Sequence, residues 1–378
     1  MTPRERICAA MRREEVDMLP CSIYFNSNLK ANGFDCSARD GSLGLAMSLG
    51  VDPFVGSGLG FSTDPEVQIS NWVEHPSGAE YPVLWQAWDT PAGRLTQAVQ
   101  LDEVCRNWKT IQWCDESASS IAEPLIKEHA DIERCRYLLQ PLTEKDYAHW
   151  IAARQQTFET AEAHDLPFVL NYGRGLSTLM FIMGAERSVL FAMDDPDGFE
   201  ELAEMIHRCE MRNIELAGRG HVDILKRFGG YEMCNFYNPD IFKKVCVPRL
   251  KAEVECAHAN GLLIFYRVVT GMEPVLDMIA DIGFDCIEGG EPCLSRCSLE
   301  TWHDAFAGKA ASWTGISTPV LLGGDDPEAV RREVRHCVDV FGRTGFILGV
   351  TNSIRGHFPW ENTLAMVDEW KKLRQAPA

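Results

Sequence analysis

Short, continuous apolar runs alternate with longer segments of helical periodicity along most of this chain. The runs are Met18–Phe25, a short one near Pro53–Gly56, Phe168–Gly173, Val222–Gly230, Leu262–Val268, Phe284–Ile287, Ala311–Ile316 and Phe346–Val350. Between them the pattern predicts helices over Leu176–Met193, Asp197–Ala217, Pro239–Ala259, Glu273–Ile282, Leu299–Phe306, Pro327–Val340 and Trp360–Leu373. Strands with no polar alternation are strands buried on both faces, which is the condition of a parallel sheet covered by helices. Eight such units fit a closed (β/α)8 barrel better than an open sheet. The expected fold is therefore α/β, a TIM barrel in one domain spanning residues 1–378.

Local signals agree with this order. Thr2-Pro3 followed by Glu5 reads as a capped helix start, and the same grammar recurs at Asn238-Pro239 and Asp326-Pro327-Glu328. One segment breaks the rhythm. Residues 65–100 alternate polar and apolar positions, with turn signals at Pro76-Ser77-Gly78 and Pro91-Ala92-Gly93, and predict an inserted antiparallel β segment.

Composition narrows the function classes. The chain of 378 residues is 46% hydrophobic and carries a formal charge of -19. That charge argues against nonspecific binding to nucleic acid or to an anionic membrane surface. No apolar run is long enough to span a bilayer, and the N-terminus lacks the features of a signal peptide, so a cytoplasmic protein is expected. The 14 cysteines are scattered without a CxxC pair. Reduced, buried thiols are the plain reading, and the close pair Cys293 and Cys297 lacks the second pair a zinc site needs.

In a parallel barrel the reaction site lies at the carboxyl ends of the strands. Those ends carry Asn26, Asn171, Tyr172, Arg174, Lys226, Arg227, Glu232, Tyr266, Arg267, Glu288, Glu291, Trp313, Asn352 and His357, among others. Singly, each can be a bracing residue, and Gly229, Gly230, Gly289 and Gly290 read as tight turns rather than phosphate cradles, since no Walker loop or dinucleotide fingerprint is present. As a set, so many polar groups at the ends of apolar strands point to a site.

Five stretches carry a family resemblance: "TPRERICAAMRREEVDMLP", "AMSLGVDPFV", "FYNPDIFKKVCVPRLKAEVECAHANG", "VLDMIADIGFDCIEG" and "GFILGVTNSIRGHFPWENTLAMVDEW". Together they resemble the uroporphyrinogen decarboxylase superfamily over almost the whole chain. The resemblance implies a (β/α)8 barrel. The arginine-rich "RQAGRY" motif that holds porphyrinogen carboxylates in the true decarboxylases is absent, and "SIYFNSNLKANGF" stands in its region. The thiol-methylating zinc enzymes of the superfamily carry HxC after the fifth strand and a Cys after the last. Here Arg267-Val268-Val269 and Thr351-Asn352 occupy those places.

The chain therefore looks most similar to the members that demethylate methoxylated aromatics or other small methylated compounds. These pass the methyl group to the cobalt of a separate corrinoid protein. The resemblance implies a corrinoid protein as partner, a corrinoid as that partner's cofactor, and Glu288, His357, Tyr266 and Arg267 as catalytic candidates. Asn26, Tyr172, Arg227, Glu232, Trp313 and Asn352 are the substrate-binding candidates. If zinc is bound, Glu232, Glu288 and His357 are its expected ligands. The chain has no DxHxxG loop of its own for a corrinoid. Two alternatives stay open: a cofactor-independent decarboxylase using Arg227 and Arg267 to hold carboxylates, and a noncatalytic corrinoid- or tetrapyrrole-binding protein. Self-association to a homodimer is left open.

Overall fold

The computed structural model describes residues 1–375. A small hairpin, β1 (Lys30–Ala31) and β2 (Phe34–Asp35), precedes β3 (Val55–Gly58). Next come the inserted strands β4 (Gln68–Glu74), β5 (Val83–Thr90), β6 (Gly93–Gln100) and β7 (Ile121–Glu123). The remaining strands are β8 (Phe168–Gly173), β9 (Ile224–Phe228), β10 (Leu263–Val268), β11 (Cys286–Gly289), β12 (Ala311–Ile316) and β13 (Phe346–Val350).

Seven of these form one parallel sheet in the order β13-β12-β11-β10-β9-β8-β3. The extended segment 20–25 completes the ring. Cys21 bridges Leu348 in parallel, and on the other side its carbonyl accepts from the Asp52 amide at 2.6 Å. The eight positions thus close into a TIM-type barrel. The segment counts as isolated bridges rather than a full strand, which is where the expected Met18–Phe25 strand falls short. The insertion is a four-stranded antiparallel sheet, β4-β5-β6-β7, and covers the expected segment.

The barrel interior is a layer of Val169, Ile224, Phe265, Ala311, Trp313 and Ile347, sealed at the amino end by Ile7, Ala10 and Met11 of the helix Pro3–Met11. That helix begins with the expected capping box: Glu5 N donates to Thr2 Oγ1 at 3.3 Å and Thr2 N donates to Glu5 Oε2 at 2.9 Å. Arg6 ties the plug to the barrel through buried Asp52, which also accepts from Cys21 N at 3.1 Å. The carboxyl ends are consequently the open face.

Several helices are finer-grained than their periodicity suggests. Leu176–Met193 is divided at Gly184, whose φ of +79° breaks the helix into Ser177–Met183 and Ala185–Asp194. Pro239–Ala259 contains a π turn over Phe242–Cys246. The stretch after β10 opens as a 3-10 turn, Glu273–Val275, and continues as the short helix Leu276–Ala280. All 14 cysteines are free thiols, Cys293 exposed and Cys297 buried. No helix among the described residues is long and apolar enough to cross a membrane.

Candidate active site at the barrel mouth

Successive residues of a strand face opposite ways, so the barrel divides its polar strand ends into two sets. Lys226 and Arg227 are neighbours on β9, yet Lys226 faces the axis and Arg227 faces the surrounding helices. On β10 the same division separates Arg267, inside, from Tyr266, outside. The β9–β10 register pairs Tyr266 with Arg227, and the β10–β11 register pairs Arg267 with Glu288.

The outward set is a closed network. Arg227 Nε donates to Glu253 Oε2 at 2.8 Å, and its Nη2 donates to Glu232 Oε1 at 2.9 Å. Tyr266 OH donates to Glu232 Oε2 at 2.6 Å, and Tyr172 OH donates to Glu253 Oε2 at 2.8 Å. His207 Nδ1 lies 3.1 Å from Glu253 Oε1. Burial would raise the Glu253 carboxyl, but Arg227, His207 and Tyr172 outweigh it and hold the group below its ordinary value. Glu210 joins from the next helix. Its Oε1 accepts from Arg174 N at 2.6 Å and Gly175 N at 2.7 Å, anchoring the loop after β8. Burial pushes Glu210 up to about 7, with Arg227 opposing.

This network is packed to the point that Gly175 admits no side chain. A Cβ there would sit 1.9 Å from Arg227 Nη2 and 2.1 Å from Glu232 Oε1, and the backbone has φ +46°. Gly229 is held in the same way by the Tyr266 ring, while Gly289 and Gly290, at φ +96° and +68°, are tight turns as expected.

The inward set lines an axial cavity of about 270 Å³ whose walls include Tyr24, Asp115, Asn171, Arg174, Lys226, Arg267 and Asn352. Arg267 pairs with Glu288 on the floor and its Nη2 donates to Thr351 O at 3.4 Å. Lys226 is different. Its side chain forms no ion pair and no hydrogen bond among the described residues, and its Nζ lies 4.9 Å from the Tyr24 ring centroid. The Arg267 guanidinium carbon lies 5.1 Å from the same ring. Burial, reinforced by Arg267 and only partly offset by Glu288 and Asp115, pushes the Lys226 ammonium down to about 8. Across the cavity Asp115 stands at the exposed rim, where partial desolvation raises its carboxyl and the Tyr231 hydroxyl partly offsets this. A lysine pushed down and an aspartate pushed up on one cavity mark it as a candidate for acid–base chemistry. Tyr24 OH, Asn171 Oδ1 and Glu288 Oε2 are buried there without partners.

A second, lateral cavity of about 360 Å³ opens between the β8 end and the inserted sheet, with Trp88 and Trp113 on its walls. Asn171 and Arg174 line both cavities. Arg174 Nη1 donates to the Trp113 carbonyl, which fixes the arginine at the junction.

The candidates read from sequence therefore scatter. Arg267 and Asn352 line the axial cavity and Glu288 forms its floor. Tyr266, Arg227 and Glu232 do not reach it, because each is consumed by the outward network. Tyr172 borders the lateral cavity, its hydroxyl committed to Glu253. Trp313 is fully buried below the axial cavity, 5.9 Å from Tyr24 ring to ring, so it is floor packing. Asn26 spends its side chain on a local turn, accepting from Asn28 N at 3.0 Å. His357 is exposed and stacks edge-on to Phe358. Glu291 braces the rim through Thr351.

The expected zinc ligands Glu232, Glu288 and His357 are in three different places, and no cluster of three or more His, Cys, Asp or Glu side chains suited to a metal occurs among the described residues. The residues present do not fit a zinc ion. Sequence reasoning places Lys226 at its strand end but does not single it out beside Arg227, and it misses Asp115, which comes from the insertion side rather than a strand end.

A closed barrel with its plug at the amino end and a polar, charged cavity at the carboxyl ends is the architecture of a TIM-barrel enzyme. The chain belongs to the uroporphyrinogen decarboxylase family, whose sequence pattern matches residues 110–373. Among solved structures, a methyltransferase from Methanosarcina mazei shares the fold. It has a TM-score of 0.58 and 14% identity, covering 98% of this chain and 99% of that one. A B12-independent methionine synthase from Shewanella sp. W3-18-1 in complex with selenomethionine is also similar, with a TM-score of 0.49 and 11% identity over 94% of this chain and 96% of that one. No curated protein matches the chain.

Proposed function

We propose that this protein is a methyltransferase that takes a methyl group from a small anionic methylated molecule and delivers it to the cobalt of a corrinoid held by a separate protein. Lys226 carries this reading. An ammonium largely withdrawn from water with no ion pair or hydrogen bond of its own is costly, and the barrel retains it at a cavity wall, with Glu288 and Asp115 acting on it only from a distance. An anionic substrate supplies the missing partner, with Arg174 beside it.

The residues then divide the work. The methyl group leaves without the electrons of its bond, which stay on the leaving oxygen or nitrogen. An alkoxide or phenolate leaves poorly unless protonated. Lys226, held at about 8, is charged at neutral pH and acidic enough to give up its proton. Arg267 is kept charged by Glu288, which outweighs the opposing effect of burial, and stabilises the departing anion. Asp115 accepts hydrogen bonds from substrate on the opposite wall. The open face above leaves the methyl group accessible to an acceptor arriving from outside.

The cavity favours one other reading. Lys226, Arg174 and Arg267 also suit a carboxylate held for decarboxylation, with Lys226 protonating the resulting carbanion. The test incubates the protein with methoxylated benzoates and chemically reduced cobalamin, following cobalamin methylation by absorbance. Substrate-dependent methylation is expected, slowed about 10²–10⁴-fold in Lys226→Met, the usual contribution of a positioned acid. Carbon dioxide released from a carboxylate substrate without any corrinoid, and no methylation, would establish the decarboxylase instead.

A further inference from the structure

The lateral cavity is not used by the chemistry above, and its lining has an unusual polarity. Two buried acceptor atoms on its wall have no donor, Asn213 Oδ1 and Asn171 Oδ1, while Glu210 Oε2, also without a hydrogen bond, lies 3.8 Å from Arg227 Nε. Asn213 and Glu210 are each 1% exposed. The Asn213 amide cannot turn round to relieve this. Its Nδ2 donates to Tyr172 O at 2.9 Å and Gly60 O at 3.3 Å, so reversing it would abandon both bonds. A buried acceptor left unmatched costs on the order of 1–3 kcal/mol, which a ligand's donor can recover. Much of the remaining wall is apolar, formed by Phe61, Trp88, Ile111, Trp113 and Leu138, with Thr63, Gln86 and Thr178 between them. Trp113 is further held by its Nε1 donating to Gln97 Oε1 at 2.9 Å.

We propose that the lateral cavity is a second binding site, built for an apolar, ring-sized group that carries a hydroxyl or amine donor, and that one molecule occupies both cavities. The two cavities adjoin at Asn171 and Arg174, which places an anionic end at Arg174 and Lys226 and the apolar body against the tryptophans. The donor at the far end meets Asn213 Oδ1. The anionic end rests on the function proposed above; the lateral site does not.

The test is calorimetric binding to the whole chain without any corrinoid, using 4-hydroxycinnamate and cinnamate as probes. They differ only in the donor. The expected result is that 4-hydroxycinnamate binds about tenfold more tightly, the effect of one recovered hydrogen bond. Gly60 lies on the cavity wall with open space where a Cβ would stand, so Gly60→Trp fills the cavity at little strain. It should weaken both probes at least tenfold, and Trp88→Ala, which removes wall rather than adding bulk, should weaken both as well. Lys226→Met should weaken both while keeping the preference for the hydroxyl. Equal affinity for the two probes, no binding of either, or full binding in both cavity variants would overturn the proposal. Donor-dependent binding without cobalamin methylation would leave the lateral site standing and remove only the methyl-transfer reading. Methylation without donor-dependent binding would do the reverse.

Discussion

Lys226 and Arg227 are consecutive cations on one strand, Arg227 fully buried and Lys226 half-buried at a cavity wall, and they live in opposite electrostatic conditions. Arg227 faces three carboxylates, two of them at hydrogen-bond distance and the third, Glu210, at 3.8 Å. Every polar contact around it is directed at protein. Lys226 faces a cavity and has an aromatic ring for company. The difference separates bracing from function better than residue type or depth does. A buried charge matched by its surroundings holds elements together, whereas an unmatched one persists only when something outside the chain is to match it.

The comparison breaks first at Arg227. Arg227→Met leaves Glu232 and Glu253 buried without their cation, and the expected loss is about 3–5 kcal/mol of stability in denaturant titration. A loss under about 1 kcal/mol would mean the network is not a brace. Tyr266→Phe removes one donor from Glu232 and should cost about 1–3 kcal/mol. Cobalamin methylation per folded molecule should stay near the parent value, and a collapse of turnover at unchanged stability would put Tyr266 back among the catalytic groups. The smallest effect is expected at His357. Its ring is exposed, so His357→Ala should shift stability by less than about 0.5 kcal/mol and leave turnover intact.

A pH profile sharpens the contrast. Because Lys226 must carry its proton to act as an acid, methylation should decline as pH rises through about 8. Arg227, raised well above its ordinary value by its three carboxylates against the effect of burial, contributes no such limb.

The barrel was legible in the sequence because strands buried on both faces become continuous apolar runs, and the inserted sheet because its alternation differs from them. The same continuity hid the site. With no polar alternation along β9 or β10, nothing in the sequence fixes which of Lys226 and Arg227, or of Tyr266 and Arg267, points inward. The phase is set by pairing across the sheet. Helix Glu144–His164 left little trace because only Phe158 and Ala161 are buried along its 21 residues. The closing segment 20–25 read as an ordinary strand, although it makes only single bridges. Asp115 reaches the cavity from the helix Asp115–Ser120, after the inserted hairpins, where no strand-end argument looks.

The central claim is that Lys226 is an uncompensated cation kept for a ligand. Its amine falls from an ordinary 10.5 to about 8 on folding, so between those values the unfolded chain binds more protons than the folded one. By linkage, stability from this group rises with pH through that window, and the charged lysine is a cost below about pH 8. The decisive measurement is denaturant unfolding of the parent and Lys226→Met at about pH 7 and about pH 10.5. The account predicts the methionine variant to be more stable at neutral pH, by on the order of 2–3 kcal/mol, with the advantage nearly gone at the alkaline end. A methionine variant less stable than the parent at neutral pH would show that the ammonium is matched within the protein, and would contradict the account.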